Sequence, residues 1–503
     1  MKALRGTYRL QLREHQDFAT AASLVPYLAL LGVSHVYVSP ICAALPGSTH
    51  GYDAIDCNAI EPALGGEPGF WHLRRALDAA DLGLIVDFVP NHMATSPLNP
   101  WWHDLLEWGP ASAYARHFDV DWSAPKVLLP VLGSAYGEAL AQGLLKLHYN
   151  EAAGTFTLAY QGLAFPLTPP SYAAILKHTH VAPLAALSSS FARAPTATAA
   201  ALKAELAAYG DPAEAIHAAI AAIESDVSVL DDLHGRQPWR LAHWRLARES
   251  LTYRRFFEIS DLVGIRVEDP GVFRDVHRLI LALVGQGAIE GLRIDHIDGL
   301  SDPLAYLRRL QSVVGKRAVH VVVEKILGPD EALPAQWPVA GTTGYEFIRT
   351  LAGLFVDGRR EADLTRSYAA FIGDDVDFSL MVANLKRRTL TRNLAGELAV
   401  LAGRAFQIAR QHMRTRDLGV DGLRTAIIEV ATALPVYRTY VDDAGIQPVD
   451  RALLEQSAQA AKATREVEED GTVDFIVRLL TLDFGMSSAR AAAVMPRCST
   501  TWA

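Results

Sequence analysis

Cysteine is scarce in this sequence: three residues in 503, at Cys42, Cys57 and Cys498, with no CxxC pair and no metal-ligand spacing. That argues against a disulfide framework and fits a reducing compartment. A basic excess is missing too. The formal net charge is -9, the wrong sign for a nucleic-acid binder, and neutral, hydroxyl-rich or weakly charged ligands remain the natural class. Long apolar runs are also lacking. Residues 1–12 hold no signal-peptide core, and stretches such as 24–31 are too short to span a bilayer. The expectation is a soluble, cytoplasmic protein with no nucleic-acid or membrane partner.

What is present suits a large buried core: 50% of residues are apolar and 20% are charged. At roughly 150 residues per domain the length allows about three units, although one α/β barrel absorbs about 250 or more. Strand and helix signals alternate at first. A β-type run at 6–12 precedes a helical stretch at 18–31, and a run at 35–39 leads into a Gly- and Pro-rich loop at 40–56. A second helical stretch, 68–80, is followed by a nearly continuous apolar run at 84–89. Strands buried on both faces read this way, and alternation with helices predicts a parallel sheet.

Residues 97–240 break the rhythm. The part near 101–160 is rich in Trp, Tyr, Gly and Pro, and an Ala-rich helical part follows at 196–223. Such an excursion reads as an inserted subdomain that walls a binding site. The rhythm returns with a helix at 272–284, a strand at 291–295, a helix at 303–314 and a strand at 318–326. From 345 to 480 the pattern is helical. The implied division is 1–96, first part of a barrel; 97–245, inserted subdomain; 246–349, central barrel strands; 350–486, helical insertion; and 487–503, an atypical tail. The predicted fold is α/β, an incomplete (β/α)8 TIM-type barrel.

Three segments carry chemistry. In Asp87-Phe88-Val89-Pro90-Asn91-His92, the polar residues Asp87, Asn91 and His92 stand at or beyond a buried strand's end, where parallel barrels place their active sites. A turn with capping Asn and His is the plain alternative. In Gly291-Leu292-Arg293-Ile294-Asp295-His296-Ile297-Asp298-Gly299, period-two alternation puts Arg293 and Asp295 on one face. The arginine keeps the neighbouring carboxylate ionised, as a nucleophile requires; a structural ion pair is the alternative. In His320-Val321-Val322-Val323-Glu324-Lys325, the valines mark a strand with Glu324 at its end. Two carboxylates on successive strand ends suit retaining glycoside chemistry, with Asp295 attacking and Glu324 protonating the leaving oxygen.

These segments resemble the conserved regions of glycoside hydrolase family 13, the α-amylase group. The resemblance extends to Thr7-Tyr8-Arg9-Leu10-Gln11-Leu12, to 40–56 with its core Gly47-Ser48-Thr49-His50-Gly51-Tyr52-Asp53, and to Leu64-Gly65-Gly66. It also takes in Tyr253-Arg254-Arg255-Phe256-Phe257 and Gly341-Thr342-Thr343-Gly344-Tyr345. It implies that Asp295 is the nucleophile and Glu324 the acid/base. By the same resemblance Arg293 and His92 hold the sugar where the bond breaks, Tyr52 stacks on it, and Asp53 binds hydroxyls. Asn91 and Asp87 support the site, while His50 and His296 line it. The segment 253–257 reads as a wall of the acceptor site or as plain core, and Trp101, Trp102, Trp108 and Trp122 as a closing wall or as insertion core.

The implied reaction is an intramolecular transglycosylation of a maltooligosaccharide or linear α-1,4-glucan. It converts the reducing-end α-1,4 link to an α,α-1,1 link, needs no cofactor or metal, and implies a partner enzyme that frees trehalose. A hydrolase or ordinary transglycosylase of the same group, and a non-catalytic glucan-binding fragment, remain open. The group also uses a third acid, an aspartate preceded by histidine on a later strand. None is evident here: His412 is the only histidine after Gly344, and Met413 follows it. The expectation is a chain truncated near Ser487, before its barrel is complete, and weakly active or inactive.

Overall fold

Short runs rich in aliphatic residues become six parallel strands of one sheet. They are β1 (Thr7–Leu10), β2 (His35–Val38), β3 (Gly83–Phe88), β4 (Gly291–Ile294), β5 (His320–Val323) and β6 (Gly341–Thr342), neighbours in that order. Every pairing is parallel. The computed structural model describes residues 3–13, 15–209, 213–315, 319–442 and 445–483; the tail expected at 487–503 lies outside them. Among the described residues β1 and β6 each pair on one side only, so the curled sheet is an incomplete (β/α)8 barrel.

Helices carry the chain between strands: α1 (Phe18–Leu31), α2 (Gly66–Ala79), α3 (Pro270–Gly285) and α4 (Pro303–Val314). Their starts are set locally. Asp17, Asp269 and Asp302 accept backbone N–H bonds at three N-termini, with proline as the first residue of α3 and α4. Apolar residues at three- and four-residue spacing, such as Val272, Val276, Ile280 and Leu283 of α3, share one core with Val86, Leu292 and Val321 of the strands. A further helix, α5 (Tyr345–Gly353), follows β6.

Local departures from the sequence reading have simple causes. The loop expected at 40–56 is partly a hairpin, with Cys42–Ala44 antiparallel to Ala54–Ile60. Ala54, Cys57 and Ile60 bury one edge of that second strand. The helical stretch at 196–223 is two helices, Thr196–Ala208 and Ala213–Ser225. The strand expected at 318–326 covers only His320–Val323.

Between β3 and α3 the chain folds into smaller sheets and helices, stitched to the barrel where Ile259–Gly264 pairs antiparallel with His92–Ala94. Two of its tryptophans pack against other rings. Trp102 is fully buried against the rings of Phe118 and Tyr253 at 5.2 and 5.5 Å, and Trp101 stacks on Tyr114. Beyond residue 394, helices pack around a second apolar cluster that includes Leu398, Leu423, Ile427 and Ile476. Among the described residues no helix is long and apolar enough to cross a membrane.

Candidate active site

Strands in parallel register end together, and that brings three carboxylates to one edge. Asp87 opposes Arg293 across β3 and β4. Just past the strands, Asp295 N donates to Phe88 O and Glu324 N to Ile294 O, both at 2.9 Å, so the ladder continues to the acids. The Arg293 side chain lies among all three. Its Nη1 pairs with Asp87 Oδ1 at 2.8 Å and with Asp295 Oδ1, and its Nη2 lies 3.1 Å from Glu324 Oε1. The other Glu324 oxygen accepts the His296 backbone N–H at 2.9 Å. One guanidinium therefore spans the two acids on which the sequence reading centred.

The electrostatics correct one expectation. Burial pushes the Asp295 carboxyl well above the usual carboxylate range; Arg293 opposes the shift, but the charges of Asp87 and Glu324 add to it. Burial also raises Asp87, against Arg293 and the hydroxyls of Tyr52 and Tyr37. Arg293 alone does not keep Asp295 ionised. Asp87 and Asp295, sharing that cation, release their protons in shared steps.

Above the acids opens a cleft of about 910 Å³, lined by His50, Tyr52, Asp53, His92, Asp295, His296 and Glu324 among others. Arg293, Asp87 and Asn91 are not among its lining residues. Tyr52 shows its ring to the cleft while its hydroxyl donates to Asp87 Oδ2 at 2.5 Å and accepts from Arg9 Nη2 at 3.1 Å. Asp53 accepts the Ser48 hydroxyl at 2.5 Å, and half-exposed His50 stands 3.8 Å from it.

His92 is set by a relay. Arg254 Nη1 donates to Asn91 Oδ1 at 2.9 Å, which orients the amide so that its Nδ2 donates to His92 Nδ1 at 3.3 Å. With Nδ1 accepting, the neutral ring carries its proton on Nε2. That atom is buried and has no hydrogen-bond partner among the described residues. Burial holds the ring down to about 3, helped by His296 and Arg254. His296 sits at φ 46°, in the left-handed region, against Phe256 and Phe257.

Several known proteins are similar to this chain. The α-amylase catalytic-domain pattern matches residues 15–138. A putative maltooligosyl trehalose synthase of Mycobacterium tuberculosis is 36% identical over 405 residues, which is 78% of this chain and 44% of that protein. The solved maltooligosyltrehalose synthase of Arthrobacter ramosus superposes with TM-score 0.75 at 31% identity, over 99% of this chain and 55% of its own. A hypothetical maltooligosyl trehalose synthase from Sulfolobus tokodaii gives TM-score 0.69 at 26% identity, with the same coverage. The chain is similar to the α-amylase catalytic domain over residues 15–138 and to these synthases over most of its own length. It spans about half the length of the relatives it matches.

Several cleft residues escaped the sequence reading. Tyr437 and Lys386 reach the cleft from the helical region, and Ile259 and Asp261 from the strand paired with His92–Ala94. Arg9 and Tyr37, on β1 and β2, hold the underside by bonding Tyr52 and Asp87. The only sequence signal for Tyr437 is the aromatic and basic cluster Tyr437-Arg438-Thr439-Tyr440 after a helix end. Phe256 and Phe257 do line the cleft, whereas Tyr253 is buried. Trp101, Trp102, Trp108 and Trp122 are absent from its lining.

Proposed function

We propose that this chain carries the bond-breaking site of a maltooligosyltrehalose synthase-type glucosylmutase. The bridging of Asp295 and Glu324 by Arg293 at the floor of the cleft carries the reading, and the names of its relatives support it. A maltooligosaccharide places its last α-1,4 link over the two acids. Asp295 attacks the anomeric carbon; the C1–O4 bond breaks as a C1–Oδ bond forms, and Glu324 gives its proton to O4 of the leaving reducing-end glucose. The freed glucose turns and presents its anomeric hydroxyl. That oxygen attacks C1, Glu324 takes its proton, Asp295 is released, and the new link is α,α-1,1.

The single guanidinium suits the proton inventory. The first step needs Glu324 protonated and Asp295 ionised, and the Arg293 contact favours the ionised form of Asp295 against its burial. The unpartnered Nε2–H of His92 suits an oxygen of the sugar over Asp295. The Tyr52 ring offers the same sugar an apolar face, and Asp53 and His50 suit its hydroxyls. Asn91, Asp87 and Arg293 hold these groups in place, and His296 lines the bound sugar.

The family's third acid has no counterpart after Glu324 in this sequence. We therefore propose that the chain by itself binds maltooligosaccharides but turns them over slowly, since losing one stabilising group commonly costs about 10²–10³-fold. A cytoplasmic setting and a maltooligosyltrehalose trehalohydrolase acting on the product complete the reading. Incubation with maltopentaose tests it. Loss of reducing ends, with a new α,α-1,1 anomeric signal by NMR that Asp295→Asn abolishes, is the expected result. A rise in reducing ends means hydrolysis instead, and binding without any turnover in either protein means a glucan-binding fragment.

A further inference from the structure

A second cavity adjoins the cleft. It measures about 250 Å³ and is lined from one side by residues 251–258 and from the other by the helix Ala395–Ala409. Phe257 and Tyr437 line both cavities and form a partition between them. Its two sides are fastened together before any ligand arrives. Arg255 Nε pairs with Glu397 Oε1 at 2.9 Å, and its Nη2 donates to Asn393 O at 2.7 Å. That arginine side chain is 2% exposed. Asn393 Nδ2 in turn donates to Glu258 Oε2 at 2.6 Å. Two polar groups at the pocket are not used up in this bonding. Half-buried Arg404 has no hydrogen bond or ion pair among the described residues, and neither has the other carboxylate oxygen of Glu258. Phe257 holds φ 49°, a backbone state that bulky residues keep where packing over-determines it and that gathers at ligand sites.

We propose that this pocket is a binding site for one free hexose, separate from the cleft. Its volume falls below the roughly 300–1,000 Å³ of pockets for drug-sized molecules, which leaves space for a single ring. Charged residues of both signs line it, four acidic and three basic. An inorganic anion there meets carboxylates, and a metal cation meets guanidiniums. A neutral polyol answers both, because each hydroxyl donates and accepts: Arg404 donates to ring hydroxyls and Glu258 accepts from them. Phe257, Tyr437, Leu394 and Val400 supply apolar surface for the C–H faces of the sugar. The occupant would sit behind the wall that the cleft presents to its own ligand. The assignment rests on the lining of this pocket and goes beyond the chemistry proposed for the cleft.

The test is saturation-transfer NMR and calorimetry with D-glucose on the full 503-residue chain carrying Asp295→Asn, so that no glucose is released from added glucan. Glucose is expected to bind, and to stay bound when saturating maltopentaose is present. Arg404→Leu should weaken it by about tenfold or more, the loss expected for hydrogen bonds to a charged group. Val400→Trp, which sets an indole into the pocket from an exposed helix position, should abolish it. Both variants should keep the parent's melting temperature, since neither replaced side chain is buried. Glucose that does not bind, that maltopentaose displaces completely, or that binds both variants as it binds the parent overturns the proposal. Turnover of maltopentaose by the unsubstituted chain is read separately: a chain that holds glucose in this pocket but never removes reducing ends leaves the hexose site standing and sinks the mutase reading.

Discussion

Lys325 Nζ lies 3.0 Å from Asp298 Oδ2, tying the residue after one proposed catalytic acid to the residue three beyond the other. Lys325 is fully buried, and its second partner is Glu331 Oε1 at 2.6 Å. Tyr440 bonds the other Asp298 oxygen, and Arg438 Nη1 donates to Asp298 O and Leu300 O, each at 2.7 Å. The loops after β4 and β5 and a segment of the helical region thus meet at one ammonium. Such a node holds the two acids in register before substrate arrives, which is where positioning gains its value.

Lys325→Met leaves Asp298 and Glu331 buried without their cation. Unfolding by urea should show a loss of about 3–5 kcal/mol, and hydrogen exchange should rise in 437–442. Adding Glu331→Gln should recover part of the loss. A double variant no more stable than the single one contradicts the ion-pair account.

Arg293→Met removes the charge shared by Asp87, Asp295 and Glu324. The expected cost at pH 8 is about 3–5 kcal/mol. Burial already raises Asp87 and Asp295, and without the guanidinium both rise further. The folded variant then binds more protons than the unfolded chain, so its stability falls as pH rises through those raised values. The deficit should therefore shrink at pH 5. Equal deficits at pH 5 and pH 8, measured by urea unfolding, would refute this.

Four buried histidines are held neutral, chiefly by burial: His92 and His277 down to about 3, His234 and His296 to about 4. An unfolded histidine takes its proton near pH 6.5. Between that value and each depressed one the unfolded chain binds protons that the folded chain refuses. Stability present above about pH 6.5 is thus lost on acidification, by about 1.4 kcal/mol per pH unit for each group. His277, wedged between Phe273 O and Tyr306 OH, is remote from the cleft lining. His277→Gln should reduce the slope between pH 4.5 and 6 by one proton's worth, and an unchanged slope counts against it.

Gly299→Ala tests the placement of His296. A Cβ there would stand 2.1 Å from His296 Cδ2 and 2.9 Å from Asn91 Oδ1. The ring has to move, and His296 already holds a left-handed backbone. The expected loss is about 1–3 kcal/mol, seen as a lower melting temperature, with maltopentaose binding weakened by calorimetry. A variant with wild-type melting and affinity would mean that the loop yields freely.

Much of the barrel was legible because its signals are local. Residues 18–31 and 303–314 read as helices, and both occur with those bounds, each capped by the aspartate before it. The apolar run at 84–89 read as a strand buried on both faces and 291–295 as an alternating strand, each correct to within a residue. Alternation alone put Arg293 beside Asp295. The tryptophans of the insertion could not be assigned this way, since an aromatic ring suits a core and a sugar equally well. Burial decided between them.

What the sequence by itself determined was the barrel's strand–helix order, the polar residues at its strand ends and the family they resemble. All of these depend on neighbours a few positions apart, where propensity, capping and side-chain alternation act. Only the tertiary structure decided that Arg293 serves three acids, that burial outweighs it at Asp295, and that Tyr437 and Lys386 reach the cleft from the distant helical region. Desolvation and long-range contact depend on which surfaces meet. No window of sequence contains that information.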